Sequence, residues 1–170
     1  MRKKNEIIFY AVWLIVLAIL QPTVMQWIGI FGISPNVYLV FIVATAFLRG
    51  KEEGAVCGAI FGLMYDFAVG RIIGISGIVF MYIGFAAGYA EERFLSNSGA
   101  IASAIVSFAM ALFYGIIYYI AYATAWGDIG FFRAVFRILF LESIYTALLS
   151  LALFLPIRKS FSIIPRRIMY

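Results

Sequence analysis

The sequence predicts an all-α integral membrane protein, a six-transmembrane-helix bundle that occupies residues 1–170 as a single membrane domain. Three observations predict it. Hydrophobic residues make up 65% of the chain and charged residues only 12%, against roughly 45–50% and about 25% in soluble domains. The apolar residues fall into runs that, at about 20 residues per crossing, suffice for five or six spans. The few charges gather at the breaks between runs, where insertion into hydrocarbon tolerates them.

Residues 7–48 carry no charge and are too many for one helix. Gln21-Pro22 and a stretch holding Gly29, Gly32, Ser34 and Pro35 divide them. A first span over residues 7–28 reaches the bilayer width if it carries Pro22 as a kink. A second, over 37–48, ends at Arg49-Gly50-Lys51-Glu52-Glu53. The third, 54–69, contains Asp66 and is closed by Arg71. The fourth, 72–90, is followed by Glu91-Glu92-Arg93 and the turn-forming Asn97-Ser98-Gly99. The fifth, 100–125, gives way to Gly127-Asp128-Ile129-Gly130, and the sixth, 134–155, ends at Pro156 before a tail with Arg158, Lys159, Arg166 and Arg167. The second and third runs are short for about 30 Å of hydrocarbon, which implies local thinning or shielding by neighbouring helices.

Six spans with both termini cytoplasmic place Arg2, Lys3, Lys4, Arg49, Lys51, Arg93, Arg158, Lys159, Arg166 and Arg167 inside, and only Arg71, Arg133 and Arg137 outside. That asymmetry follows the positive-inside rule, and an odd number of spans would export the basic tail. A cleaved signal peptide is the alternative at the N-terminus, but no small-x-small site follows Leu20. The net charge of +5 therefore reads as topology and contact with anionic lipid, with no nucleic-acid partner. The absence of histidine removes Ser/His and Cys/His nucleophile pairs and imidazole metal sites. Cys57 reads as a buried structural thiol. No catalytic residue, cofactor or metal site is expected.

Four constellations are candidates for function. Glycine or aspartate recurs every fourth residue at Gly54, Gly58, Gly62, Asp66, Gly70 and Gly74, and a second pair stands at Gly84 and Gly88. Such spacing makes a flat strip on which another backbone can lie closely, either within the bundle or from a partner's helix. Asp66 is costly near a bilayer, and pairing with Arg71, capping or gripping a partner would each account for it. Glu142 lies well inside the sixth run, with Arg133 and Arg137 approaching from the outer side. An ion pair, a protonated acid or a lined cavity would each explain it. Tyr114, Tyr118, Tyr119 and Tyr122 lead to Trp126, an interfacial belt or, alternatively, a ligand-stacking box.

The residues also carry a resemblance. Ser34-Pro35-Asn36-Val37-Tyr38-Leu39, then Gly62-Leu63-Met64-Tyr65-Asp66 with Gly70, Gly74-Ile75-Ser76, and Ile83-Gly84-Phe85-Ala86-Ala87-Gly88 with Arg93 resemble the rod shape-determining MreD family. That family usually has a proline followed by an acid where this chain has Pro35-Asn36, and a Gly-Leu-x-x-Asp segment followed by glycines. The resemblance implies a non-enzymatic component of the lateral cell-wall elongation machinery in the bacterial plasma membrane. It implies a bitopic MreC-type partner, with MreB-type filaments and a peptidoglycan polymerase and transpeptidase pair in the same assembly. The implied fold is similar to the substrate-binding subunit of energy-coupling-factor vitamin transporters. Two functions are then in view: a scaffold whose glycine-strip helices receive a partner's helix, and a vitamin-binding transporter subunit.

Overall fold

In a computed structural model of the chain, residues 2–24, 27, 29, 33–69, 74–94, 99–126 and 139–162 are described. They form six helices and no strand: α1 (Arg2–Leu20), α2 (Val37–Arg49), α3 (Lys51–Val69), α4 (Ile75–Phe94), α5 (Ala100–Trp126) and α6 (Leu141–Phe161). Two helical stretches, Ala100–Ala121 and Leu141–Phe161, are long and apolar enough to cross a membrane. Glu6–Leu20 and Val37–Arg49 are apolar but shorter.

The short second run is explained by its position. Every residue from Val37 to Phe47 is buried, because α3, α4, α5 and α6 all pack around α2 and α1 touches it. Its 13 residues rise only about 20 Å, and neighbouring helices rather than lipid meet its sides. Shielding, one of the two expectations for the short second and third runs, holds for α2, whereas α3 leaves Val56, Ile60 and Phe67 exposed. At its N-terminus Asn36 caps the helix, its side chain accepting from the Leu39 N–H at 3.1 Å, which satisfies one otherwise unpaired donor. Gln21 adds a clasp: it accepts from the Val37 N–H at 3.0 Å and donates to the Pro35 carbonyl at 3.1 Å.

Two prolines bear on helix ends. The span expected over 7–28 with a kink at Pro22 is met by α1 to Leu20, a turn at Gln21–Thr23 and helical backbone again at Val24 and Trp27. Pro22 offers no N–H to the carbonyl of Ala18, yet the Gln21 and Thr23 N–H groups still donate to the Leu17 and Ile19 carbonyls at 3.0 and 3.2 Å, and it is the side chain of buried Gln21 that reaches the start of α2. Conversely, α6 runs through Pro156 to Phe161, past the expected end at residue 155. Loss of one helical hydrogen bond is offset there by burial of Ile157 and Phe161. The Phe161 ring lies 4.8 Å from that of Phe9 and 6.1 Å from that of Phe41.

Successive helices run antiparallel, and contacts show which ends meet. Tyr10 of α1 donates to Glu53 of α3 at 3.1 Å, Lys51 of α3 pairs with Glu92 of α4 at 2.9 Å, and the Arg49 guanidinium lies 5.3 Å from the centre of the Phe161 ring. The beginning of α1, the end of α2, the beginning of α3 and the ends of α4 and α6 therefore share one end of the bundle. Arg49, Lys51, Arg93, Arg158 and Lys159 all belong to that end, called here the basic end. The opposite end carries Gln21, Asn36, Asp66, Ser76 and Thr146, all buried.

Candidate functional site

The glycine strip is the seam between α3 and α4, the most extensive helix pair of the bundle. A methyl group built on Gly58 would overlap the Phe80 carbonyl, one on Gly62 the Ser76 carbonyl, one on Gly84 the Gly54 carbonyl, and one on Gly88 the backbone of Lys51. Gly54 stands at a three-helix junction, its absent side chain leaving room for the Ala46 methyl, 2.6 Å from where a Cβ would lie, and for the Gly84 carbonyl at 2.8 Å. The two glycine series thus face each other, and the close backbone approach that small residues permit is used inside the chain. Gly74 differs: its surroundings are open, and it adopts φ +100°, a conformation that L side chains rarely take. Gly70 and Arg71 lie outside the described residues.

Asp66 continues the strip but does a different job. It is 1% exposed, and its Oδ2 accepts from the backbone N–H groups of Gly74 at 2.8 Å and Ser76 at 3.1 Å. A carboxylate from the end of α3 therefore caps the start of α4, where unpaired N–H groups and the helix dipole favour negative charge. The Ser76 hydroxyl in turn meets the Tyr114 hydroxyl at 3.1 Å, tying α5 to the same corner. Asp66 Oδ1, Asn36 Nδ2 and the Tyr38 hydroxyl are buried without a hydrogen bond among the described residues.

The other candidates are placed as follows. Glu142 is half-buried in the first turn of α6, a position that the helix dipole favours for an acid, and its carbonyl accepts from the Thr146 hydroxyl at 2.7 Å. Arg133 and Arg137 lie outside the described residues. Tyr114 belongs to the core rather than to a belt at the membrane surface: it is buried, with its ring 4.9 Å from Phe80 and 5.9 Å from Tyr118. Cys57 is buried as expected, its thiol 4.0 Å from the Thr45 hydroxyl.

Three features escaped the sequence reading. Ser103 and Ser107 of α5 both meet Ser150 of α6, at 3.2 and 3.1 Å, a buried hydroxyl cluster that joins these helices by hydrogen bonds as well as packing. Serines at four-residue spacing on the fifth run were the available signal. The Lys51–Glu92 pair closes the basic end of the α3–α4 seam. Hydrogen bonding to Lys51 holds the Glu92 carboxyl below the usual carboxylate range, and the same bond raises the Lys51 ammonium above its ordinary value. Finally, a groove of about 530 Å³ opens between α1 and α3, with Glu6, Glu52 and Glu53 at one end and mostly apolar side chains along the rest. No sequence pattern joins residues 6–14 to residues 52–61.

No curated protein and no solved structure matches the chain. The family model of rod shape-determining protein MreD matches residues 1–163, nearly all of the 170 present. The chain therefore belongs to the MreD family of rod shape-determining proteins.

Proposed function

We propose that the chain is a non-enzymatic scaffold of the lateral cell-wall elongation machinery, a multi-pass protein of the bacterial plasma membrane that binds an MreC-type bitopic partner. Through that partner it is linked to MreB-type filaments and to a peptidoglycan polymerase and transpeptidase pair. The observation that carries this reading is the polarity of the bundle. Arg49, Lys51, Arg93, Arg158 and Lys159 share one end, as the positive-inside rule demands of a cytoplasmic face. Between the ends the outer surface is apolar, with Val56, Ile60, Phe67, Ile78, Tyr82 and Phe85 all exposed.

On this reading Gly54, Gly58, Gly62, Gly84 and Gly88 serve the partner indirectly, by fusing α3 and α4 into one rigid hairpin whose outward surface is presented in the membrane. Asp66 and Gly74 brace the far end of that hairpin, while Gly70, expected to pack against a partner's helix, and Arg137, expected as an intramembrane polar residue with Glu142, lie outside the described residues. The role is packing and presentation rather than chemistry. The tyrosines that suggested a ligand box favour no vitamin: Tyr114 is buried and engaged with Ser76, Phe80 and Tyr118.

The test is co-purification with a co-expressed MreC-type protein from detergent, together with depletion in a rod-shaped host. Recovery of a complex and rounding of the cells on depletion are expected. Failure of the wild-type chain to bring down the partner would overturn the scaffold reading.

A further inference from the structure

The groove between α1 and α3 has the chemistry of a receptor for one kind of helix. Its walls are contributed by residues 6–14 of α1 and residues 52–61 of α3, a depth of about 13–15 Å at the helical rise, or about half the hydrocarbon thickness. Ile7, Val56 and Ile60 line it with 68%, 61% and 50% of their surfaces exposed, while Phe61 and Cys57 form a buried floor. α1 makes few contacts with α3, so the apolar walls are held apart rather than closed on each other.

Charge selects the occupant. The groove opens at the basic end of the bundle, yet its mouth carries Glu6, Glu52 and Glu53, three of the eight acidic residues in a chain of net charge +5. Within the groove these carboxylates favour a cationic group over an anionic lipid headgroup, which Arg49 and Lys51 on the rim of the same end would suit better. A single-pass membrane protein, by contrast, carries Lys and Arg just cytoplasmic of its helix, and those cations would meet the carboxylates as its apolar turns enter the groove.

The geometry points to the α1–α3 groove as the docking site for the cytoplasmic half of a single-pass partner's transmembrane helix, with Glu6 and Glu52 reading the partner's basic flank. This rests on the scaffold function proposed above and adds a location and a charge code to it. Glu53 accepts a hydrogen bond from Tyr10 and so ties α1 to α3 beside the mouth. It is left unaltered in the test for that reason.

The full chain is co-expressed with an MreC-type partner, and a photo-crosslinking residue is placed at Val56 or Ile60 in the groove, or at Ile78 or Tyr82 on the outward side of α4. Cross-links to the partner helix from positions 56 and 60 are expected. Glu6→Lys with Glu52→Lys is expected to lower recovery of the complex by at least roughly tenfold, and reversal of the partner's basic flank to acidic residues is expected to restore it. Cross-links from positions 78 and 82 alone would overturn the groove assignment while leaving the scaffold function standing. Cross-links from the groove to a second copy of the chain, or a phospholipid retained there with no effect of the charge reversal, would overturn it as well. Absence of any complex with the unaltered chain would sink the scaffold function itself.

Discussion

Single residues in this protein differ sharply in what they contribute, and three glycines make the difference measurable. Gly58 faces the Phe80 carbonyl across the α3–α4 seam, Gly74 has open surroundings but φ +100°, and Gly99 meets nothing within 4 Å. Gly58→Ala forces two backbones apart and is expected to cost about 1–3 kcal/mol. Gly74→Ala costs about 1–2 kcal/mol through its backbone conformation alone, and Gly99→Ala stays within about 0.5 kcal/mol. Unfolding of the purified protein by titration with denaturing detergent would rank them, and a Gly58→Ala variant as stable as Gly99→Ala would contradict the seam. The spacing of Gly54, Gly58 and Gly62 was legible in the sequence; the helix they meet was not, because periodicity describes one surface and never its mate. Asp66 was legible as an anomaly, and its purpose was hidden because the N–H groups it caps stand on the next helix. Asp66→Ala removes that cap and is expected to cost about 0.5–2 kcal/mol, with Asp66→Asn, which keeps an acceptor, costing less. Asn36 shows the reverse case: it stands where the family usually has an acid and still caps α2, since the two side chains are near-equivalent as caps.

Among the helices, α2 had the shorter of the two runs that looked short for a span, and its enclosure by four others accounts for its length. Its centre is Phe41, stacked on Phe61 at 5.1 Å and close to Trp13 at 4.9 Å and Phe161 at 6.1 Å. Truncation there leaves a cavity bounded by three other elements, so Phe41→Ala is expected to cost about 3–5 kcal/mol in the same unfolding titration. Helix ends were less legible than helices, because Pro22 and Pro156 present the same local signal with opposite outcomes. Contacts made elsewhere decide: at Pro22 a turn lets the Gln21 side chain clasp the start of α2, whereas burial of Ile157 and Phe161 keeps α6 regular past Pro156. The α3–α4 pairing also carries a pH signature. The Glu92 carboxyl, its pKa lowered by Lys51, adds stability above its unfolded pKa and loses it as pH falls through the folded value. Lys51, its pKa raised by Glu92, adds stability below its unfolded pKa and loses it as pH rises through the folded value. The contribution is therefore present across neutral pH and fades at both extremes. Because the pair is solvent-exposed, Glu92→Gln is expected to lower the melting temperature only slightly at pH 7, and the difference should vanish in acid and in strong alkali.

For the molecule as a whole, charge counting and contact geometry agree on one partition. The residues assigned to the cytoplasmic side from sequence alone include Arg49, Lys51, Arg93, Arg158 and Lys159, and these stand at one end of the bundle. With Cys57 replaced by serine, single cysteines at Gly99 and Ser162 should react with a membrane-impermeant thiol reagent only from the cytoplasmic side, and one at Thr124 only from the other. Opposite labelling would invert the topology. Family membership was legible through residues 34–93 because glycines and a capping aspartate tolerate few replacements, whereas the groove was not, since it depends on how α1 leans against α3. The burial of α2 has one more consequence, for biogenesis. Among the described helices, α1 alone comes before it in the chain; the four that sheathe it are synthesised afterwards. A nascent chain halted just beyond Gly50 therefore holds an apolar helix of about 20 Å without the four helices that bury it, and α2 can settle only when the ribosome has delivered the α3–α4 hairpin behind it.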